Sequence, residues 1–269
     1  MGAREETVPR TAGSDGAHRV TRAVILAAGR GSRLAPLTDR VPKPLVPVNG
    51  TPIITTILDA LNAAGISSIT IVRGYCGEAF DALRETYPHL AFIDNPDWET
   101  ANNISSIALA GRAGLLADSY VIEGDLYLAN PAIITPMQTR TNYIAFPVES
   151  TDDWCFDTDT AGKITHIDTA SDHPCHQMLG LSYWTAEDGE RLADCANALY
   201  AEEQYRQLYW DEIMLKYHLH ECDVYIRECR REDVWEIDTV EELRELEERM
   251  RGNSASLADA GEVANAVSR

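Results

Sequence analysis

The chain of 269 residues has no apolar run long enough to cross a bilayer, and its opening MGAREETVPRTAGSDGAHR lacks the apolar stretch of a secretory signal. The protein is therefore expected in the cytoplasm, away from the membrane. Cysteines are few and scattered: Cys76, Cys155, Cys175, Cys195, Cys222 and Cys229 form no close pairs, which suits reduced thiols better than a disulfide framework or a zinc cage. Lysine is scarcer still, with only Lys43, Lys163 and Lys216 among 23 basic residues. Against these stand 43 acids and a formal net charge of -20, a balance that would repel a nucleic-acid backbone. Also missing are an internal repeat, a G-x-x-x-x-G-K-[ST] phosphate loop, a G-x-G-x-x-G dinucleotide fingerprint and a Ser/His/Asp set.

What is present is an alternation. Apolar runs of strand length (AVILA at 23–27, SITIV at 68–72, LAFI at 90–93, SYVIEG at 119–124) alternate with helix-like segments at 52–65, 77–87 and 103–114. Such a rhythm predicts an α/β, Rossmann-like fold with a predominantly parallel central sheet flanked by helices. The second half breaks it. Two short runs around DTAG, within 154–167, read as a hairpin insertion, followed by LGLSYW, helices at 186–199 and 209–217, the runs DVYIREC and VWEI, and a last helix at 239–250. One folded domain over 21–251 is expected, between a disordered extension over 1–20 and a flexible tail over 252–269.

The stretch LAAGRGSRLAPLTDRVPKPL, Leu26 to Leu45, gathers Arg30, Arg33, Arg40 and Lys43 around one acid, Asp39, in an otherwise acidic chain. A bulky strand ends there in a loop of small residues, so a ligand could approach the backbone N–H groups of Ala28 to Ser32. On its own, G-x-G reads better as a surface turn. Asp125, just past SYVIEG, and Asp238, just past VWEI, fall where open α/β sheets bind ligands. Two carboxylates are the hard donors that magnesium prefers. Asp125 also fits a strand-end turn, and Asp238 fits a helix N-cap partnered by Glu241.

The whole stretch resembles the L-A-A-G-x-G-S-R-L-x-P-L-T … P-K-P-L signature of nucleotidyltransferases that join a nucleoside triphosphate to a sugar phosphate or a small phospho-alcohol. The resemblance implies that Leu26, Ala27, Ala28, Gly29, Gly31 and Ser32 hold the triphosphate. It further implies that Arg33 contacts its phosphates, that Lys43 neutralises charge near the α-phosphate, and that Asp125 and Asp238 hold Mg2+. Nucleotidyl transfer requires this kind of fixed positive charge more than proton chemistry. Further patterns, NNISS (102–106), DDWCF (152–156), LYWDEIM (208–214) and WEID (235–238), look more like bacterial CTP:phosphocholine cytidylyltransferases and their phosphonate-activating relatives, over about Arg22 to Arg251.

That family would have a glycosyltransferase-A-like sheet with a small hairpin and helix insertion for the acceptor. By similarity, Trp154, Tyr209 and Glu236 line the acceptor pocket, Asp211 shapes it or caps a helix, and Gly74, Tyr75, Asn103 and Ser105 meet the nucleoside. Aromatic faces with a carboxylate suit an ammonium head group. The substrates implied are CTP and a small phosphonate or phosphorylated amino-alcohol, of the 2-aminoethylphosphonate or phosphocholine type. The arginine preference suits a GC-rich genome and tilts the acceptor toward a phosphonate. A homodimer is compatible with the sequence. The rivals are a sugar-1-phosphate nucleotidyltransferase and a nucleotide-binding regulatory protein that has lost turnover. DHPCHQ (172–177) and HLHEC (218–222) could be drawn as metal sites, but neither has a partner cluster at a recognisable distance, and both are set aside.

Overall fold

A computed structural model describes residues 16–252. The expected extension over 1–20 and tail over 252–269 fall largely outside these residues. Within them, His18–Arg19 pair with Met137–Gln138 and Val20 is fully buried, so residues 18–20 belong to the folded domain.

The central strands are β1 (Arg22–Ala27), β2 (Ser68–Arg73), β3 (Ala91–Asp94) and β4 (Ser119–Glu123). They are parallel and run β3-β2-β1-β4 across the sheet. β1 shows why its sequence reads as continuously apolar. Ala23, Ile25 and Ala27 point into one core against helix α1 (Ile53–Ala63), whereas Val24 and Leu26 point into the other. That second core contains helix α2 (Ile104–Arg112) and is completed later in the chain. A strand buried on both faces has no polar side to show.

Beyond β4 the sheet turns antiparallel. β5 (Leu126–Leu128) leaves it, β6 (Asn142–Val148) rejoins, and the hairpin β7 (Cys155–Thr158) and β8 (Ile164–Asp168) forms where DTAG predicts. The long β9 (Cys175–Trp184) pairs antiparallel with β4, β6 and β7. Helix α3 (Ala186–Tyr200) follows and packs on α2. β10 (Tyr225–Glu228) adds parallel to β6, giving nine strands in the sheet. Two helix readings shift in type: 77–85 is a 3₁₀ helix, and 209–217 becomes a short α turn, Trp210–Glu212, running into a π turn, Ile213–Tyr217. Among the described residues no helix is long and apolar enough to cross a membrane.

A small second sheet completes the frame. β11 (Val234–Glu236) pairs antiparallel with β5, with Glu236 opposite Leu126, which carries Glu236 and Asp238 alongside Asp125. The final helix, 240–252, is capped by Thr239: its Oγ1 accepts from Glu242 N (3.2 Å), while Glu242 Oε2 accepts from the N–H groups of Asp238 and Thr239 (2.8 and 2.7 Å). The capping pair therefore lies one residue later than Asp238 and Glu241. This box stabilises the helix by about 1 kcal/mol and leaves the Asp238 carboxylate free for other work.

Candidate active site

β1 and β4 are neighbours, but the chain leaves them in opposite directions: β1 connects to β2 on one side, and β4 continues toward β9 on the other. A crevice opens at such a point, past the carboxyl ends of the strands. Here it is a cleft of about 820 Å³.

The loop after β1 forms one wall. Gly31 has φ +64°, and a Cβ added there would lie 2.7 Å from Lys43 Cβ, so its position demands both left-handed backbone and no side chain. Thr38, buried, donates its hydroxyl to the Gly31 carbonyl (2.9 Å) and fixes the turn. The close approach lays the Lys43 stem along the loop and delivers its ammonium to the cleft floor. Nζ sits 2.7 Å from Asp125 Oδ2 and 2.5 Å from Asp238 Oδ1, and Arg33 holds the other Asp238 oxygen at 2.8 Å. Burial alone would lower the lysine's pKa, but the two aspartates more than offset that and hold it above its usual range.

The floor is heavily acidic. Asp125, Glu236 and Asp238 present oxygens within 4.8 Å of one another. Burial, with the charges of Asp125 and Asp238, pushes Glu236 up to about 8. Asp125 Oδ1 is buried without a hydrogen-bond partner. Clustered hard donors, one orphaned, and a carboxyl that resists ionising all fit a divalent cation of the oxygen-seeking class.

Farther in, Glu123 closes β4. Its Oε1 accepts from Trp210 Nε1 (3.1 Å) and from Asn103 Nδ2 (3.2 Å), while Asn103 Oδ1 accepts from Trp210 N (2.8 Å). Burial first, and then the charges of Asp211, Asp125 and Glu236, push Glu123 well above the carboxylate range. Asp211 is pushed up to about 7, mainly by burial, although the Tyr143 hydroxyl beside it favours the ionised form. Space for Glu123 exists because residue 180 is glycine: a Cβ there would meet Glu123 Oε2 at 2.5 Å. At the mouth, Trp154 and Tyr209 stand edge to face with ring centres 6.0 Å apart, Tyr209 almost half exposed.

Residues 23–206 match the MobA-like NTP transferase domain, some two-thirds of the chain. The chain belongs to that family. Among the curated relatives of this NTP transferase is the 2-aminoethylphosphonate cytidylyltransferase of Lancefieldella rimae, 39% identical over 224 residues that span 83% of this chain and 90% of the relative. The choline-phosphate cytidylyltransferase of Streptococcus pneumoniae is 34% identical over 87% of this chain and the whole of the relative. The solved structure of the CTP:phosphocholine cytidylyltransferase LicC from Streptococcus pneumoniae superposes with a TM-score of 0.80 at 35% identity, covering 87% of this chain and all of that one.

Of the residues expected at the transferase's site, the cleft collects Leu26, Ala27, Ala28, Gly29, Gly31, Ser32, Arg33, Lys43, Asn103, Ser105, Asp125, Trp154, Tyr209, Asp211, Glu236 and Asp238. Gly74 and Tyr75 are not in its lining. They hold the loop after β1 instead: Tyr75 N donates to the Ala28 carbonyl (3.0 Å), Tyr75 Oη donates to the Asp39 carbonyl (2.8 Å), and a Cβ on Gly74 would strike Trp98 Cβ at 2.6 Å. Trp98 itself lines the cleft. The Ser105 hydroxyl is already committed, donating to the Asn102 carbonyl (2.7 Å) and accepting from Asn95 Nδ2 (2.8 Å). Glu236 belongs to the carboxylate floor more than to the aromatic mouth. Trp210 is core, fully buried and stacked on Tyr143 with ring centres 5.8 Å apart.

Sequence reasoning did not single out Glu123, Asn95 or Trp98, which also line the cleft. The sign for Glu123 was in view: an acid as the last residue of an otherwise buried strand, two residues before Asp125.

Proposed function

We propose that the chain is a CTP-dependent cytidylyltransferase that joins CMP to a small phosphonate or phosphate ester bearing an ammonium group and releases pyrophosphate. The observation that carries this reading is the convergence of Arg33, Lys43, Asp125 and Asp238 at one point beside a glycine-bearing loop.

The acceptor's phosphonate or phosphate oxygen is anionic near neutral pH, so it attacks without a general base. The new bond forms to the α-phosphorus of CTP, the α–β bridging bond breaks, and its electron pair leaves with pyrophosphate. Lys43, buried on the floor, and Arg33, exposed at the rim and held by Asp238, stabilise the charge that grows on the phosphoryl oxygens. Asp125 and Asp238, with Glu236 beside them, would hold Mg2+, which neutralises phosphate oxygens when bound. The small side chains of Ala27, Ala28 and Gly29 let the triphosphate reach the backbone, and Asn103 positions Glu123 and the Trp210 turn. Selection of cytosine rests on similarity to the relatives.

A primary ammonium fits the inner cleft better than a quaternary one. Glu123 Oε2 lies against Gly180, and the Asp211 carboxyl also lines the cleft, so two acids offer acceptor oxygens there. An R–NH3+ group has N–H bonds to give, and a trimethylammonium has none. Trp154 and Tyr209 offer cation–π contact to either. The preferred acceptor is accordingly of the 2-aminoethylphosphonate type.

Pyrophosphate release measured over a panel of triphosphates and acceptors tests the assignment. CTP with 2-aminoethylphosphonate should give the highest kcat/KM, ahead of phosphocholine and far ahead of any hexose 1-phosphate. A preference for a sugar phosphate would overturn it.

A further inference from the structure

HLHEC gains in three dimensions the partner that its sequence lacks. Cys195, on α3, comes beside the 218–221 turn, and the Cys195 thiol, the His218 imidazole and the Glu221 carboxylate present their ligand atoms within 4.8 Å of one another. His218 Nδ1 is 2.8 Å from Glu221 Oε1, and His220 places Nε2 3.9 Å from the same oxygen. The turn is pinned by Arg191, whose guanidinium donates to the Glu221 carbonyl while its charge is paired with Glu187 at 3.1 Å.

We propose that Cys195, His218 and Glu221 form a second metal site, for a divalent transition cation of the zinc class, distinct from the carboxylate floor of the cleft. The donor chemistry separates the two. The floor offers only carboxylate oxygens, as hard cations prefer, whereas a sulfur, a ring nitrogen and one carboxylate make a borderline-soft set that suits zinc and cobalt. Three protein ligands leave a fourth tetrahedral position to water or to the exposed His220. Burial, and then the charges of Glu221 and Asp194, push the Cys195 thiol up, which keeps it protonated near neutrality. Binding thus releases a proton from sulfur, and no redox partner is involved.

The placement gives the site a consequence. The 218–221 turn ends the π turn that follows Trp210–Glu212, and so connects directly to Asp211 on the cleft wall. α3 packs on α2, whose first turn also faces the cleft. A cation bridging Cys195 to the turn would tie both supports of the acceptor end together.

Titration of the metal-stripped full-length chain with Co2+ tests this, read by thiolate-to-cobalt charge-transfer absorption in the near ultraviolet, a signal that an all-oxygen site does not produce. One equivalent should develop the band, and Zn2+ should displace it. Asp125→Asn should leave the band intact and Cys195→Ser should abolish it. His218→Ala and Glu221→Gln change an accessible turn rather than the core, and should each weaken Co2+ binding by about tenfold or more. Absence of the band at stoichiometric cobalt, or a band unchanged in Cys195→Ser, would overturn the proposal. Neither result bears on cytidylyl transfer, whose residues the variants of this turn leave in place.

Discussion

Lys43 Nζ and Asp125 Oδ2 are separated by 82 positions in sequence and by 2.7 Å in space. Asp238, 195 positions from Lys43, closes the same ion cluster. One charge of each sign comes from the loops after adjacent parallel strands, and the third from a strand pair built on β5. The cluster is therefore a product of topology, and it holds the cleft floor together before any ligand arrives.

Removing Lys43 separates its two roles. Lys43→Ala should lower kcat by about 10²- to 10³-fold, the usual loss when a fixed charge at a reacting phosphoryl or acyl centre is deleted. It also leaves two aspartates and Glu236 facing one another, at a cost of about 3 kcal/mol in the metal-free protein. Millimolar MgCl2 should recover much of that stability in thermal melts but not the turnover. A variant that turned over at the parent rate would remove Lys43 from the chemistry.

Glu123 reports on the acceptor. A hydrogen bond to a charged group is worth about 1.5–3 kcal/mol, so Glu123→Gln should raise KM for 2-aminoethylphosphonate by roughly 10- to 100-fold. Phosphocholine, with no N–H to lose, should change by only a few fold. Equal losses for the two acceptors in steady-state kinetics would mean that Glu123 supports the Trp210 turn without selecting the head group.

The buried acids set a pH dependence. Asp211 and Glu236 are raised to about 7 and about 8, above the ordinary carboxylate range near 4 in the unfolded chain. The folded chain binds more protons than the unfolded chain across that window, so stability should fall as pH rises from about 4 to about 8, with a limit of about 1.4 kcal/mol per pH unit for each group. Denaturant melts in EDTA should show the decline. Asp211→Asn should make it shallower, and Mg2+ should restore stability at the alkaline end. Rising stability over the window would contradict the burial argument.

The loop was legible because it is contiguous: Leu26 to Leu45 carries its own turn glycines, its cations and its strand end. Asp125 and Asp238 were legible as strand-end acids, although only the β5–β11 pairing shows that they meet. Glu123 was not, since an acid ending a buried strand gains meaning only from Asn103 and Trp210, which arrive from other segments. Gly74 and Tyr75, expected to meet the nucleoside, lie beside Trp98, which lines the cleft and which no motif singled out. The DTAG hairpin was legible, but the antiparallel direction of β9 was not, as the apolar run LGLSYW is the same whichever way the strand points. Cys195 and HLHEC are 23 positions apart at His218 and share no pattern that spacing could expose.

The most direct measurement is phosphorus NMR of CTP mixed with 2-aminoethylphosphonate and Mg2+, followed with the parent enzyme and with the Asp125→Asn/Asp238→Asn double variant. The parent should convert the phosphonate resonance to that of a phosphonate–CMP anhydride in step with pyrophosphate, and the double variant should leave both substrates unchanged. A phosphonate signal that stays put while CTP is consumed, or conversion at the parent rate by the double variant, would contradict the account.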